Sequence, residues 1–344
     1  MRILITGGGG FLGTAIIKEL LKNPENKITN FARGVYPELE AMGVKTIRGD
    51  IRHKVDVDKV MSYGFDVIFH VAAKAGVWGT YKEFLDINYL GTKNMVESAK
   101  TFGVPRFVYT STPSVVFGED DLLGVDEETP FPKKYLTAYA ETKAMAEKLV
   151  LEANDSKDFM TCAIRPHLIW GPGDPHLFPR VIQRGRLGKL KVVGDGENLV
   201  DIVYVENAAM AHIMASKKLT PHSRVCGQAY FIGQERPVKL WDFINQVLAK
   251  SGIDPVMESI SVKAAYRIGW AMEKMWSLAG IQKPEPPMTR FVALNLGKSH
   301  YFSHAKAQRD FGYSPSITIE EGLKRYFQKR EEVRKLITTS APSS

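Results

Sequence analysis

Ile3-Leu4-Ile5-Thr6-Gly7-Gly8-Gly9-Gly10-Phe11-Leu12-Gly13 decides how this chain folds. A short apolar run, read as a strand, stops at Thr6 and breaks into glycines. A helical pattern then resumes through Ala15, Ile16, Leu20 and Leu21. Glycine lets the backbone turn sharply and approach a pyrophosphate closely. The helix that follows offers unpaired N–H groups and a positive dipole end to that anion. Gly7, Gly10 and Gly13 give the spacing G-x-x-G-x-x-G, a variant of the dinucleotide fingerprint in its strand–turn–helix setting. The stretch predicts a dinucleotide held by Gly7, Gly10, Phe11, Leu12 and Gly13.

Working outward, apolar runs alternate with helical patterns through the first two-thirds of the chain. Strands are expected at Arg2–Thr6, Lys27–Ala32, Lys45–Arg48, Val67–Val71, Arg106–Thr110 and Thr161–Arg165. Helices are expected around Gly13–Lys22, Val55–Met61, Asp86–Thr101 and Ala138–Ala153. Such alternation implies an α/β, Rossmann-type, doubly wound parallel sheet with ligands at the carboxyl ends of its strands. From Gly171 the texture turns to Gly- and Pro-rich loops, a hairpin-like stretch at Lys189–Val200 and a strand at Ala229–Ile232. The reading assigns 1–170, with about 201–235, to the dinucleotide domain. It assigns 171–200 and 236–330 to a smaller C-terminal substrate-binding cap and 331–344 to a tail, whose end, Thr338–Ser344, is small and polar and expected to fray.

Composition narrows the class. The 344 residues are 44% hydrophobic and 24% charged, an ordinary globular balance. Cys162 and Cys226 are the two cysteines and form no C-x-x-C pattern, which argues against a zinc site or disulfide framework and for a reducing cytoplasm. Met1 is followed at once by the first strand, so no signal peptide is expected. The net charge of +8 suits anionic cofactors and substrates; no nucleic-acid motif accompanies it. Lys324, Arg325, Lys329, Arg330, Arg334 and Lys335, interrupted by Glu331 and Glu332, read as a solvated helix face. Ala265–Ala279 puts Ile268, Met272, Met275, Trp276 and Ala279 on one helical face, but Arg267, Glu273 and Lys274 make it too charged to span a bilayer. Cap packing, a wall for a long apolar substrate and a membrane-surface contact all remain open for it.

Chemistry enters at Tyr139-Ala140-Glu141-Thr142-Lys143, which sets Tyr139 and Lys143 on one helical face. A phenol titrates near pH 10 on its own. An ammonium about 4 Å away in a protein-like dielectric is worth roughly 4 kcal/mol to the phenolate, enough to make the tyrosine an acid–base group. A positively charged nicotinamide would act in the same direction. A second Y-x-x-x-K, Tyr89 and Lys93, lies on the helix before the Arg106–Thr110 strand, whereas Tyr139 follows that strand and can face its carboxyl end. There the strand gives way to Ser111-Thr112-Pro113-Ser114, whose hydroxyls could bond a reacting oxygen.

The glycine turn, Asp50-Ile51, His70-Val71-Ala72-Ala73, Asn88 with Gly91-Thr92, Thr110–Ser114, Tyr139/Lys143 and Arg165-Pro166…Trp170-Gly171-Pro172 stand in the order seen in extended short-chain dehydrogenases/reductases. The resemblance covers about 1–330. Within that superfamily, Thr-Ser-Thr-Pro-Ser-Val-Val-Phe (110–117) is similar to the 3β-hydroxysteroid dehydrogenase-type branch. Tyr36-Pro37-Glu38-Leu39, Ala73-Lys74-Ala75-Gly76-Val77-Trp78-Gly79, Leu168–Asp174 and Arg309–Tyr313 resemble its bacterial members that reduce 2-alkyl-3-oxoalkanoates in long-chain olefin biosynthesis. That resemblance implies Tyr139 as acid–base residue and Lys143 as its partner, which also bonds the nicotinamide ribose. It implies Thr112 on the substrate oxygen, with Ser111 and Ser114 as near alternatives, and Asn88 in a proton relay or structural hydrogen bond. It also puts Asp50 and Ile51 at the adenine and Ala72, Ala73 and Pro166 along the cofactor. A substrate with long alkyl chains, a homodimer, and contact with pathway enzymes or a membrane periphery are further implications.

At the end of the second strand, Ala32 fills the position where NAD sites place a carboxylate, and Arg33 follows it. A guanidinium binds a 2′-phosphate well, so NADP(H) is expected. Lys74, Ser114 and His167 are candidate substrate contacts, and Arg165 is either a partner for a substrate carboxylate or a tie between strands. His70, at the end of a buried-looking strand, reads as structural. His300 and His304 have i,i+4 spacing, but Ser303 reads as an N-cap between them, and no metal site is expected. The alternative activity is a 3β-hydroxysteroid or sterol-4-carboxylate 3-dehydrogenase. A sugar-nucleotide dehydratase would place acidic residues after the active-site threonine, where Pro113 and Ser114 stand. A dinucleotide sensor without turnover would not need both Tyr139 and Lys143.

Overall fold

The glycine turn sits at the carboxyl edge of a seven-stranded parallel sheet ordered β12-β7-β5-β4-β1-β2-β3. The computed structural model describes the backbone of residues 1–339 and the side chains of 1–332. β1 (Arg2–Thr6) leads through α1 (Phe11–Leu20) to β2 (Lys27–Ala32), and α2 (Pro37–Ala41) leads on to β3 (Lys45–Arg48). α3 (Lys54–Met61) precedes β4 (Val67–His70). The next connection is a continuous helical rod: α4 (Tyr81–Phe84), a π-helical turn (Leu85–Leu90) and α5 (Gly91–Thr101). β5 (Arg106–Thr110), β6 (Leu122–Val125), α6 (Ala138–Glu152) and β7 (Met160–Pro166) complete the first half.

Every residue of β4 and β7 is buried, as expected of strands covered on both faces. Period-two alternation divides β1: Ile3 and Ile5 join one core cluster with Ile16 and Ile17 of α1, while Leu4 joins the opposite cluster with Phe31 and Ile68. Each such side chain contributes roughly 1.5–3 kcal/mol by leaving water. The strand order reverses between β1 and β4, so Gly7 and Val71–Ala73 flank the crevice where such sheets bind ligands.

The second half runs through β8 (Ile169–Trp170), α7 (Leu177–Arg186), β9 (Val192–Val193), β10 (Leu199–Val200), β11 (Val203–Tyr204), α8 (Val205–Lys218) and β12 (Gln228–Ile232). β13 (Val238–Lys239), α9 (Leu240–Ala249), β14 (Ser259–Ile260), α10 (Val262–Leu278) and α11 (Arg290–Gly297) form most of the cap. β15 (His300–Phe302), α12 (Ala305–Phe311) and α13 (Ile319–Thr339) finish the described chain.

Several expectations are corrected here. Lys189–Val200 is no hairpin: β9 pairs with β14, whereas β10 joins β13 and β15, because Gly194 and Gly196 turn the chain from one small sheet to another. β6 lies in the span assigned to the dinucleotide domain, yet it pairs with β15 in the cap sheet. Conversely, α12 belongs with the main sheet, since Ala307, Phe311 and Tyr313 pack into the α1–α8 cluster. Residues 331–339 of the expected tail continue α13, including the first two of the stretch expected to fray; 340–344 lie outside the described residues. Within the basic run, Arg325 pairs with Glu206 and Glu321 and Lys329 with Glu332, as on a solvated helix face; the side chains of Arg334 and Lys335 lie outside the described residues. α10 buries Ala265 and Gly269 and leaves Ile268, Trp270, Met275 and Leu278 between 41% and 88% exposed, so core packing does not account for its apolar face. Among the described residues no helix is long and apolar enough to cross a membrane.

Candidate active site

At the β1–β4 crevice the sheet opens into a cavity of about 700 Å³ lined by Gly7, Gly10, Phe11, Leu12, Gly13, Arg33, Asp50, Ile51, Ala72 and Ala73. Glycine is required sterically at its base: a Cβ on Gly13 would overlap the Gly7 carbonyl oxygen, and Gly7 itself has φ +71°. No side chain caps α1, so the N–H groups of its first turn stay free at the cavity floor. A cavity of that size, with glycines beneath it and helix donors aimed into it, fits a dinucleotide.

Sequence reading missed two residues that shape this site. Asn30, fully buried, accepts a hydrogen bond from Gly8 N at 3.1 Å and so holds the glycine turn against β2. Its signal was a lone amide in the apolar strand Lys27–Ala32. The Tyr36 ring stands against Gly9 and Gly34 and forms one wall. On the rim, burial pushes the Asp50 carboxyl up, but hydrogen bonds from Arg52 and the nearby Arg33 charge hold it below its ordinary value. Arg33 is exposed, with its guanidinium not tied by any hydrogen bond or ion pair among the described residues.

Pro166, Tyr139 and Lys143 do not line this cavity. Pro166 ends β7 and pairs with Ile232. Thr137 caps α6 by accepting from Ala140 N, and the first turn then carries Tyr139 to the end of β5 beside Thr112. Burial pushes the Tyr139 phenol above its ordinary value, and a hydrogen bond with Thr112 pulls it back. Lys143 does not lower it, contrary to expectation. Its Nζ donates to the Thr110 carbonyl at 2.5 Å and sits 4.1 Å from the Tyr109 ring centre. Burial pushes Lys143 down to about 7, against an upward pull from Glu147.

The hydroxyls after β5 have separate partners. Thr110 faces His212 Nε2 at 2.9 Å, Thr112 meets both the N–H and the hydroxyl of Ser114 at 3.2 Å, and buried Ser111 Oγ has no partner. Asn88 sits on the π-helical turn, a feature frequent at functional sites. Its Oδ1 accepts from Lys74 N at 2.7 Å, and its Nδ2 donates to Lys74 O and to Thr142 Oγ1 on α6. Asn88 thereby clamps the loop after β4 to the helix bearing Tyr139, a positioning contact rather than a proton relay. The second Y-x-x-x-K separates from the chemistry: Tyr89 packs in the core and Lys93 pairs with exposed Glu97.

Arg165 is not available to a substrate carboxylate, because Glu147 binds it twice, at 2.9 and 2.5 Å, inside the protein. Lys74 Nζ lies 3.2 Å from Glu83 at the site's edge. His70 bonds Thr6 and Thr92 and is pushed down to about 3, chiefly by burial and then by Lys143, which fits structure rather than catalysis. His300 faces the Asn295 carbonyl through Nε2, so it donates there and accepts from His167 through Nδ1, at 2.6 Å. His167 is then neutral, with Nδ1 as a bare acceptor, and burial pushes its titration well below the ordinary range. His304, the residue before α12, bonds Asp201 and shares no helix with His300; the cap is thus one residue later than Ser303.

Residues 4–262 match the 3-beta hydroxysteroid dehydrogenase/isomerase family. A 2-alkyl-3-oxoalkanoate reductase of Shewanella oneidensis is 46% identical over 93% of this chain and 84% of its own length. One from Stenotrophomonas maltophilia is 45% identical over 94% and 98%. The sterol-4-alpha-carboxylate 3-dehydrogenase of Mus musculus is 32% identical over 96% and 91%. In the fold, the UDP-glucuronic acid 4-epimerase of Bacillus cereus in complex with NAD superposes with a TM-score of 0.75, at 21% identity over 97% of this chain and 99% of its own. The dTDP-glucose 4,6-dehydratase of Bacillus anthracis, also holding NAD, gives 0.72 at 21% identity over 97% and 98%. The site and these relatives together make the chain a member of the 3-beta hydroxysteroid dehydrogenase/isomerase family, an oxidoreductase built on the extended short-chain dehydrogenase/reductase fold.

Proposed function

We propose that this protein reduces the 3-keto group of a 2-alkyl-3-oxoalkanoate to the 2-alkyl-3-hydroxyalkanoate with NADPH, as a step in making long-chain olefins. The observation that carries the reading is the pairing of a protonated Tyr139–Thr112 centre with a cap whose interior is apolar. The bacterial relatives named for that reduction support it further. A bound nicotinamide dinucleotide supplies the hydride. Tyr139, neutral at physiological pH, is ready to donate a proton to the forming alkoxide, and the Thr112 hydroxyl beside it, with one proton to give, turns from the phenol to the same oxygen. Lys143 fixes the end of β5 through Thr110 O and, as the family resemblance implies, would hold the cofactor ribose; Asn88 keeps the Lys74 loop in place. Lys74 remains the cation nearest this loop for the substrate carboxylate. Arg33 supports the NADP preference, since its exposed guanidinium stands at the cavity rim where a 2′-phosphate would lie.

A sterol 4-carboxylate is the second reading, favoured by the same apolar interior and by the family match. The exposed face of α10, with Ile268, Trp270, Met275 and Leu278 beside Arg267 and Lys274, supports contact with a lipid surface or a pathway enzyme. We assign the protein to the cytoplasm on its two free cysteines, and to a homodimer on family resemblance. The test follows NADPH formation from NADP⁺ with a racemic long-chain 2-alkyl-3-hydroxyalkanoate, beside a 3β-hydroxysterol and NAD⁺. Turnover with the branched hydroxy acid and NADP⁺ is expected; turnover with the sterol alone would overturn the substrate.

A further inference from the structure

Below Leu168 the cap holds a second cavity, of about 100 Å³, walled by Phe178 of α7, by Ile202 and by Phe243, Ile244 and Val247 of α9. Among the described residues its one polar side chain is Asn295, whose Nδ2 donates to Phe291 O on its own helix, and no charged group lines it. Phe178 is locked among Trp170, Phe243 and Tyr326, with ring centres 4.7 to 5.6 Å apart, so this wall is rigid. Apolar cavities of about this scale stay dry and take hydrocarbon; one of about 150 Å³ accepts benzene.

Leu168 connects that cavity to the reaction centre. β5 and β7 are neighbours, with Thr110 beside Ile164, so the segments bearing Thr112 and Leu168 leave the same edge of the sheet side by side. Leu168 has φ +41°, a conformation that branched side chains rarely adopt, and it lines the cavity. Its backbone is held from both sides. Its carbonyl accepts from Val203 N, and the preceding His167 is fixed by His300. An unfavourable backbone held this firmly keeps one apolar side chain in the wall of the cap's dry space, on a segment that leaves the sheet beside the one bearing Thr112.

We propose that this cavity seats the far end of one unbranched alkyl chain of an amphiphilic carboxylic acid, and that Ile244 and Val247 set the longest chain accepted. The inference rests on the reductase reading and names the part of the substrate that the cap measures.

The test titrates the full-length protein with octanoate, decanoate, dodecanoate and tetradecanoate, following the fluorescence of Trp170, which stacks on Phe178. Affinity rises about four-fold per added methylene while carbon enters the cavity, then levels off where the cavity ends. Val247→Phe moves that break to a shorter chain and weakens the longest ligand at least ten-fold, with the shortest unchanged. Val247→Ala moves the break to a longer chain and carries the test if the larger side chain prevents folding. A break that stays in place in the folded variants overturns the proposal. Matching turnover with 2-alkyl-3-hydroxyalkanoates separates the two readings. Chain-length-limited binding without oxidation defeats the reductase reading and leaves the cavity standing; oxidation with an unaltered chain preference in both variants defeats the cavity alone.

Discussion

The two cavities are made of different material. The larger, at the β1–β4 crevice, is formed by backbone: glycines that admit no Cβ, free N–H groups at the start of α1, and one buried amide, Asn30, behind them. The smaller, in the cap, is formed by side chains from α7, α9 and α11 and two intervening loops, with scarcely a polar atom among them. A backbone cradle accepts one ligand geometry and tolerates little change. A side-chain cradle can be reshaped by swaps of similar volume. Substitution is therefore costlier at the base of the crevice than in the wall of the cap.

Five experiments would break or sharpen that contrast. Tyr139→Phe, in the lining of neither cavity, removes the proton donor and leaves both cradles intact. Turnover falls by about 10²- to 10⁴-fold while dinucleotide binding, measured by fluorescence, survives. Lys143→Met acts on stability. Burial holds Lys143 at about 7 against an ordinary 10.5. Between those values the unfolded chain binds the extra proton, so the folded protein gains stability as pH rises, by at most about 1.4 kcal/mol per pH unit. Denaturant midpoints from pH 7 to about 10 show that slope in the parent and a flatter one in the variant. Arg33→Ala removes one charged hydrogen-bond donor, worth about 1.5–3 kcal/mol, and weakens NADP⁺ by at least about ten-fold with NAD⁺ unaffected. Equal losses for both cofactors would remove Arg33 from the phosphate site. Gly13→Ala and Ile244→Leu set the two cradles directly against each other. The first meets immovable backbone and costs about 1–3 kcal/mol together with dinucleotide affinity; the second is a near-isosteric exchange costing under about 1.5 kcal/mol, with cofactor binding intact. Comparable cofactor losses from both would end the distinction.

Legibility in the sequence follows the same division. The expected strands of the main sheet match β1, β2, β3 and β5 residue for residue, because each is a short run set off by polar or glycine-containing loops; the fully buried β4 and β7 differ from expectation by one residue at their ends. The dinucleotide cradle was legible because it occupies nearly continuous stretches of chain. The cap was not. Its strands are mostly two residues long, and β6, β10, β13 and β15 meet from distant places to make one small sheet. Pairing partners so far apart leave no local period to read. Electrostatics also escaped the one-dimensional view. The i,i+4 spacing of Tyr139 and Lys143 suggested a direct charge effect on the phenol, whereas in three dimensions Lys143 turns to Thr110 O and loses charge through burial. Nor does the sequence reveal that Glu147, one turn beyond Lys143, occupies Arg165.

The π-helical turn at Leu85–Leu90 has a consequence for descent. It acts as a one-residue spacer inside a rod that otherwise keeps α-helical phase. Deleting one residue within it would return the rod to ordinary winding with the faces on either side still in phase. The face of α5 carrying Met95, Val96 and Ala99 would stay in the core, while the widened turn that presents Asn88 to Lys74 and Thr142 would be lost. The turn is thus the place where a change of length is absorbed: a deletion there would cost the clamp between the loop and the helix bearing Tyr139 and spare the packing of the rod.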